Sequence, residues 1–223
     1  KLFYKKKELM LGNKISKVKL GIIDLNVNNI FSIYEACKSQ GYNTKIIDKR
    51  LKNYSFDIII MPGVGSFNTA MKFIKKNNID EKIDDYLNKK NKLFFGICLG
   101  MQLLFEKSEE FGVTKGLNLI KGEVKKFKKT KKLKVPHIGW NNLNLDLNKK
   151  NILKMADKKS KYYFVHSYYC LPKNKKIISS LTQYQDINFC SSINQNNIVA
   201  TQFHPEKSGI AGLKILHGMY KYL

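Results

Sequence analysis

The fold of this chain is best indicated by one short segment, Leu93-Phe94-Phe95-Gly96-Ile97-Cys98-Leu99-Gly100-Met101-Gln102. An apolar run of the kind found in buried parallel strands enters the turn Gly96-x-Cys98-x-Gly100, and a helix is predicted to follow. The two glycines leave room for tight packing around a sharp turn. The pattern therefore predicts a cysteine on a strained elbow at a helix N-terminus, where the positive end of the helix favours a thiolate.

The same strand–turn–helix arrangement carries the nucleophile of Gly-x-Ser-x-Gly hydrolases. Cys98 is therefore a candidate nucleophile, and the backbone N–H of Leu99 can point at a developing oxyanion. The alternative is a small cysteine buried in the core, which is the usual fate of a free thiol. The elbow context favours the nucleophile.

The segments around the elbow indicate the fold class. In the first half, predicted strands alternate with predicted helices, which indicates an α/β protein with an open, mostly parallel sheet flanked by helices. The strands are expected at 18–24, 44–47, 54–61 and 92–95, and the helices at 30–40, 67–77, 79–90 and 99–105.

The second half has strands with few helices between them, which predicts an antiparallel extension of the sheet and a closing helix. These strands are expected at 122–127, 162–167, 177–181, 189–193 and 198–202, and the helix at 209–222. We expect one domain over residues 21–223, after a basic leader at 1–20 that lacks the apolar core of a secretory signal.

Composition excludes several functional classes. Of 223 residues, 41 are basic and 17 acidic, a net charge of +24, yet Arg50 is the only arginine. Recognition of bases and phosphates favours the guanidinium fork, so we expect solvated lysines and no specific nucleic-acid binding. The longest apolar runs fall far short of the roughly 18 residues that span a bilayer. Four widely spaced cysteines without a CxxC pair argue against a metal or redox site and favour a reducing, cytoplasmic setting.

A thiol nucleophile needs a base, and His204-Pro205-Glu206 supplies a candidate. Pro205 forces an extended path on the residue before it, and residues i and i+2 of an extended segment share a side. Glu206 can then orient the ring of His204 as the third member of a triad does. The sequence thus predicts a Cys98–His204–Glu206 triad.

Five segments in register resemble the class I glutamine amidotransferases, and within them the glutaminase subunit of imidazole glycerol phosphate synthase. The similarity runs from about Gly21 to the C-terminus. The segments are Met61-Pro62-Gly63-Val64-Gly65-Ser66-Phe67, residues 96–105 of the elbow, Pro136-His137-Ile138-Gly139-Trp140-Asn141, Tyr163-Phe164-Val165-His166-Ser167-Tyr168 and Gln202-Phe203-His204-Pro205-Glu206-Lys207-Ser208.

The resemblance implies a role for each site residue and no cofactor or metal. Cys98 would attack the side-chain amide of L-glutamine, His204 would carry the proton to the leaving ammonia, and Glu206 would orient His204. Oxyanion donors would come from Gly63, Val64, Gly65 and Leu99, and the glutamine would be held by Gln102, His166, Ser167 and Tyr168. His166 as a satisfied core histidine remains an open alternative.

The resemblance also implies a partner. Family members dock as a heterodimer on a (β/α)8-barrel synthase and pass ammonia through it, so that imidazole glycerol phosphate and AICAR form in histidine biosynthesis. The residues matching the docking face are Asn29, Ile138, Trp140, Tyr163 and Lys207. Ordinary core packing is the alternative for Trp140.

Some positions depart from the family pattern. The first loop reads Asp24-Leu25-Asn26-Val27-Asn28-Asn29, with asparagine at both usual glycines, and Gln185 stands at another usual glycine. Asparagine tolerates left-handed backbone best among the other residues, so the turn can survive. The divergence keeps two alternatives open: a paralogue that supplies ammonia for amidination of a surface-polysaccharide sugar, and, more remotely, a non-catalytic basic binding protein.

Overall fold

Parallel strands form the half of the sheet that carries the elbow. The computed structural model describes residues 14–26, 30–48, 50, 54–128, 133–145, 152–157 and 159–223. In these residues a twelve-stranded sheet has the order β2-β1-β3-β4-β14-β13-β11-β7-β5-β6, and β12 pairs with both β13 and β9. The first five strands of this order run parallel to their neighbours. The strands from β13 onward are mostly antiparallel, so the α/β class and the antiparallel extension are confirmed.

Most of the predicted apolar segments form strands, but five further strands were not predicted, and Phe105, expected at the end of a helix, begins one of them. The strands are β1 Lys19–Ile23, β2 Asn43–Ile47, β3 Ile58–Met61, β4 Leu93–Ile97, β5 Phe105–Ser108, β6 Thr114–Lys115, β7 Ile120–Lys126, β8 His137–Asn142, β9 Asn144–Leu145, β10 Lys161–His166, β11 Tyr168–Pro172, β12 Ile178–Tyr184, β13 Ile187–Gln195 and β14 Ile198–Thr201.

Helices cover both faces of the sheet. They are α1 Ile30–Ser39, α2 Phe67–Lys76, α3 Ile79–Leu87, α4 Leu99–Leu103 and α5 Gly209–Gly218. The apolar residues of α1 and α5 join one core cluster, and those of α2, α3 and α4 join the other. Successive residues of β3 and β4 alternate between the two clusters, as the two-residue period of a strand requires. No helix in the described ranges is long and apolar enough to cross a membrane.

Two of the strands predicted in the second half have partners other than those of the expected antiparallel extension. The segment predicted at 162–167 is β10, which leaves the large sheet and pairs antiparallel with β8 as a separate two-stranded ribbon. The segment predicted at 198–202 is β14, which lies parallel to β4 in the middle of the sheet. An apolar strand pattern indicates that a strand is buried and how long it is, but not which strand it pairs with. The sequence therefore could not predict the separate ribbon or the place of β14 in the middle of the sheet.

Part of the predicted basic leader packs into the core. Among its described residues, Ile15, Val18 and Leu20 are buried, and β1 already begins at Lys19. The leader at 1–20 stays a prediction, and residues 1–13 lie outside the described part of the chain.

The elbow depends on close contact between two backbones. Cys98 has φ +55° and ψ −109°, outside the ordinary regions for a residue with a side chain. A methyl group on Gly100 would lie 1.8 Å from the carbonyl oxygen of Met61, at the end of the neighbouring strand. Gly96 also has no room for a side chain, because a methyl group on it would lie 2.8 Å from the carbonyl oxygen of Gly100. These glycines let α4 begin directly over the sheet.

We expect Gly100→Ala to lower the free energy of unfolding by about 3 kcal/mol or more, because its methyl group would force β3 and α4 apart. Gly112→Ala is the control, since a methyl group there meets nothing within 4 Å. Its only expected cost is that of a side chain at a positive φ, about 1 kcal/mol of unfolding free energy. Urea unfolding of both variants measures the difference. Equal losses would show that the contact with Met61 is not tight.

Candidate active site

Two adjacent parallel strands bring the predicted triad together. Cys98 follows β4 and His204 follows β14, and the N–H of Cys98 donates to the carbonyl of Thr201 at 2.8 Å. Because the carboxyl ends of neighbouring parallel strands meet at one edge of the sheet, the cysteine and the histidine share that edge. The side chains of His204 and Glu206 are 2% and 4% exposed, so this pair is shielded from bulk water.

His204 and Glu206 form a buried pair. The distance from His204 Nδ1 to Glu206 Oε1 is 2.7 Å, with Nδ1 as the donor because the carboxylate only accepts. His204 is extended, as expected before a proline, but Glu206 lies in a short 3-10 helix, Pro205–Lys207. The turn, rather than the continued extended path that the sequence predicted, brings the carboxylate to the ring.

The environment favours a charged His204. Burial alone would lower the pKa of its imidazole, but the Cys98 sulfur and the Glu206 carboxylate outweigh burial and raise the pKa to about 10. Its Nε2 is buried and has no hydrogen-bond partner of normal geometry among the described residues. A protonated ring with an unsatisfied Nε2–H beside a thiol can stabilise a thiolate and can donate to an arriving group.

A cavity of about 310 Å³ opens beside Cys98. All four residues predicted to hold the substrate line it: Gln102, His166, Ser167 and Tyr168. The cavity wall also includes Val64, Gly65 and Leu99 of the predicted oxyanion group. Its mixed polar and apolar lining suits a small polar molecule.

In the predicted oxyanion segment, the Gly63–Val64 peptide is oriented so that its carbonyl group occupies a backbone N–H donor. The N–H of Leu99 donates to the carbonyl oxygen of Gly63 at 3.3 Å, so it is not available to an oxyanion. Rotation of the Gly63–Val64 peptide would release Leu99 and turn the N–H of Val64 into the space vacated. Gly65, with φ +121°, follows directly and gives the segment conformational freedom that a residue with a side chain lacks.

Four of the five residues predicted at a partner face form one cluster. Ile138 and Trp140 on β8 are 60% and 53% exposed, so Trp140 is not a core residue. Tyr163 pairs with Trp140 across the ribbon, with ring centroids 5.8 Å apart, and Lys207 Nζ lies 5.9 Å from the Tyr163 ring. Asn29 lies outside the described residues. The N–H of His204 donates to the carbonyl of Tyr163 at 2.9 Å, which joins this cluster to the triad.

Three residues of the site were not predicted from the sequence. Glu110 lines the cavity, with Oε2 accepting from the N–H of Phe67 at 2.6 Å. Gln202 contacts Cys98 through its side chain, and His137 contacts His166. Gln202 lay within a recognised motif, two residues before His204, but nothing in the sequence placed Glu110 or His137 near Cys98.

His166 and His137 form a buried neutral pair. His166 Nδ1 lies 2.8 Å from the carbonyl of Tyr168 and must donate to it, because a carbonyl only accepts. His166 Nε2 is then the acceptor for His137 Nδ1 at 3.0 Å. Burial lowers the pKa of His166 to about 3 and that of His137 to about 4. His166 is thus a satisfied buried histidine that also lines the cavity.

The chain belongs to the class-I glutamine amidotransferase family, whose sequence profile matches residues 22–217. It is 43% identical over 199 residues to "Imidazole glycerol phosphate synthase subunit HisH" of Caldanaerobacter subterraneus subsp. tengcongensis, covering 88% of this chain and 95% of that protein. The HisH subunit of Chlorobaculum tepidum is 38% identical over 202 residues, covering 90% of this chain and 98% of its own length.

Within the class, these relatives place the chain in the HisH family of imidazole glycerol phosphate synthase subunits. A solved structure of PurLQS from Thermotoga maritima contains a chain of similar fold, with a TM-score of 0.70 at 17% identity. The alignment covers 92% of this chain and 99% of that one. At that identity the similarity shows the fold alone.

We expect acid to destabilise the protein partly through His166. Its pKa when folded lies below the value of about 6.5 in the unfolded chain, so its contribution is fully present above pH 6.5 and is lost as the pH falls towards 3. Between pH 7.5 and 5 this loss amounts to about 2 kcal/mol of unfolding free energy.

A His166→Asn variant keeps a side-chain N–H donor but does not titrate. Urea unfolding should therefore show a smaller loss of stability than in the parent chain over this pH range. His217→Asn is the control, because His217 is only partly buried and its pKa is lowered less. If parent and His166→Asn chains lost equal stability on acidification, His166 would not be held neutral by the fold.

Proposed function

We propose that Cys98, His204 and Glu206 carry the glutaminase activity of this HisH-family chain. The observation that carries the proposal is the buried His204–Glu206 pair at 2.7 Å, with the raised pKa of His204 beside the strained Cys98. A thiolate held by an imidazolium is the activated nucleophile that acyl transfer needs.

The reaction follows from this arrangement. The Cys98 sulfur attacks the side-chain carbonyl carbon of L-glutamine, and the carbonyl oxygen becomes an oxyanion. His204 Nε2–H then protonates the leaving nitrogen, so that ammonia departs and a thioester remains. His204 next takes a proton from a water molecule, which attacks the thioester and releases glutamate. Glu206 keeps the ring in one orientation throughout and offsets its positive charge.

The cavity provides contacts for both ends of glutamine. Ser167 and Tyr168 line the cavity and would contact the amino-acid end. Glu110 is the acidic residue of the lining and would receive the α-ammonium group. Gln102 lies one helical turn after Cys98 and would bind the side-chain end.

We infer that the ammonia passes to a (β/α)8-barrel subunit in a heterodimer, in the cytoplasm. The relatives are named as subunits of imidazole glycerol phosphate synthase, which supports a synthase partner in histidine biosynthesis over a sugar-amidating one. The exposed Ile138 and Trp140 supply the apolar and aromatic surface that interfaces favour. Four free, buried cysteines fit a reducing compartment.

Replacing Cys98 with alanine or serine should abolish release of glutamate and ammonia from glutamine, because no thioester can form. Synthesis driven by added ammonia in the complex with the barrel subunit should continue, since docking does not need the thiol. Cys37→Ala is the control: Cys37 is fully buried, and burial raises the pKa of its thiol. A Cys98→Ala chain that still hydrolysed glutamine would overturn the assignment.

The isolated chain should be a poor glutaminase that its partner activates. The Gly63 carbonyl holds the Leu99 N–H, and one oxyanion donor is worth roughly 100–1,000-fold in rate. Adding the barrel subunit with its ligand should raise ammonia release by at least that order. Full activity without the barrel would contradict the blocked-donor mechanism, and a response only to a sugar-pathway partner would favour the paralogue.

A further inference from the structure

Gln202 is a fully buried polar residue with no assigned role, and it touches the nucleophile. It lies between the end of β14 and His204, and its side chain is enclosed, with 0% exposure. Its backbone N–H donates to the carbonyl of Ser191 at 2.9 Å, which fixes it to the neighbouring strand. Burying a primary amide is costly unless its hydrogen bonds are made, so its partners define what it does.

The hydrogen bonds of Gln202 connect Cys98 to Gln102. Gln102 Nε2 lies 3.1 Å from the carbonyl oxygen of Tyr168 and 3.0 Å from Gln202 Oε1. Gln202 Nε2 lies 3.6 Å from Cys98 Sγ, within hydrogen-bond range for sulfur. Three elements therefore meet in one chain of contacts: β11 through Tyr168, α4 through Gln102, and the segment after β14 through Gln202.

One backbone carbonyl determines the direction of both amides. The Tyr168 carbonyl can only accept, so Gln102 must present its nitrogen to it. The second hydrogen of that nitrogen then points to Gln202, which must present its oxygen. The nitrogen of Gln202 is left to face Cys98, so the sulfur meets an N–H donor rather than an amide oxygen.

The same hydrogen bonds orient Gln102 towards the cavity. Both hydrogens of its nitrogen are engaged, by Tyr168 and by Gln202. Its Oε1 is the amide atom left to meet a ligand, because Gln102 lines the cavity. An amide oxygen accepts hydrogen bonds, so it suits an N–H donor of the substrate.

We propose that Gln202 is a positioning residue for the glutaminase reaction: its N–H supports the thiolate of Cys98, and its oxygen holds the Gln102 amide so that Gln102 Oε1 faces the substrate. This proposal rests on the proposed function of Cys98. Gln202 itself does not contact the substrate. Hydrogen bonds to a charged group are stronger than neutral ones, so the contact with sulfur favours the thiolate over the thiol.

Alkylation of the isolated chain by iodoacetamide across a pH series tests the first half, because only the thiolate reacts. Subtracting the reaction of a Cys98→Ala chain assigns the signal to Cys98. The ionisable groups around the sulfur are His204 and Glu206 after β14, His166 on β10, Tyr168 and Cys170 on β11, and Glu110 in the cavity wall. The substitutions below remove none of them, so they report on Gln202.

Gln202→Met keeps the length of the side chain and removes both hydrogen bonds. We expect the midpoint of its alkylation profile to rise by roughly one pH unit, a tenfold loss of thiolate, as for a lost hydrogen bond to a charged group. In the complex with the barrel subunit, kcat for glutamine should fall and KM should rise, because Gln102 is no longer held. Synthesis from added ammonia should be unchanged, which verifies folding and docking.

Gln202→Glu separates the two roles. Its carboxylate still accepts from Gln102 Nε2, so the KM for glutamine should stay close to the parent value. It offers the sulfur an acceptor in place of a donor, so the alkylation midpoint should rise at least as far as in Gln202→Met. Thr182→Val is the control, because Thr182 is equally buried and its hydroxyl donates to the Asn142 carbonyl, away from Cys98 and Gln102.

An alkylation midpoint in Gln202→Met equal to that of the parent and of Thr182→Val would overturn the proposal, even if Cys98 is the nucleophile. A KM for Gln202→Met equal to that of the parent would overturn the role assigned towards Gln102. Failure of the proposed function would look different, since a Cys98→Ala chain would then still hydrolyse glutamine.

Discussion

The close approach of α4 to the end of β3 is the constraint on which the site depends. Gly100 lies against the Met61 carbonyl with no room for a side chain, and this contact holds Cys98 in a backbone conformation that residues other than glycine rarely adopt. The strain is supported by the buried strands on either side, because β4 lies between β3 and β14. The positions of the proposed nucleophile and of the proposed triad both follow from this packing.

A single peptide group controls both donors of the proposed oxyanion site. The carbonyl of Gly63 occupies the Leu99 N–H, and the same peptide directs the Val64 N–H elsewhere. Both donors would become available together if the peptide turned, so the site changes in one step rather than two. A hydrogen bond between two backbone groups is weak enough for the binding of a partner to displace it.

The β8–β10 ribbon links the exposed aromatic cluster to the triad. Tyr163 pairs with Trp140 on one side and bonds the backbone of His204 on the other, so a displacement of the ribbon is transmitted to the histidine without an intervening loop. The same ribbon holds the neutral His137–His166 pair against the cavity. A partner that covers Ile138 and Trp140 on β8 would therefore contact the strand paired with β10, and β10 lines the proposed glutamine pocket.

The local pattern of the sequence was enough to predict the elbow and most strands of the parallel half of the sheet, because each depends on neighbours within a few residues. It also predicted that Glu206 would meet His204, although the contact is made through a 3-10 turn and not through the extended path expected. The strand period and the Gly-x-Cys-x-Gly spacing carry that information directly. The left-handed backbone at Asn26 also follows from a short-range rule, because asparagine tolerates that conformation best among residues with a side chain.

Tertiary structure alone decided the contacts between residues far apart in the chain. The pairing of β10 with β8, the contact of Gln202 with Cys98, the place of Glu110 in the cavity and the His137–His166 pair join segments whose sequences carry no sign of one another. Buried polar groups must find partners, but which partner they meet depends on how the strands are ordered. The sequence therefore determined which residues could do the chemistry, and the folded arrangement decided how their hydrogen bonds are directed.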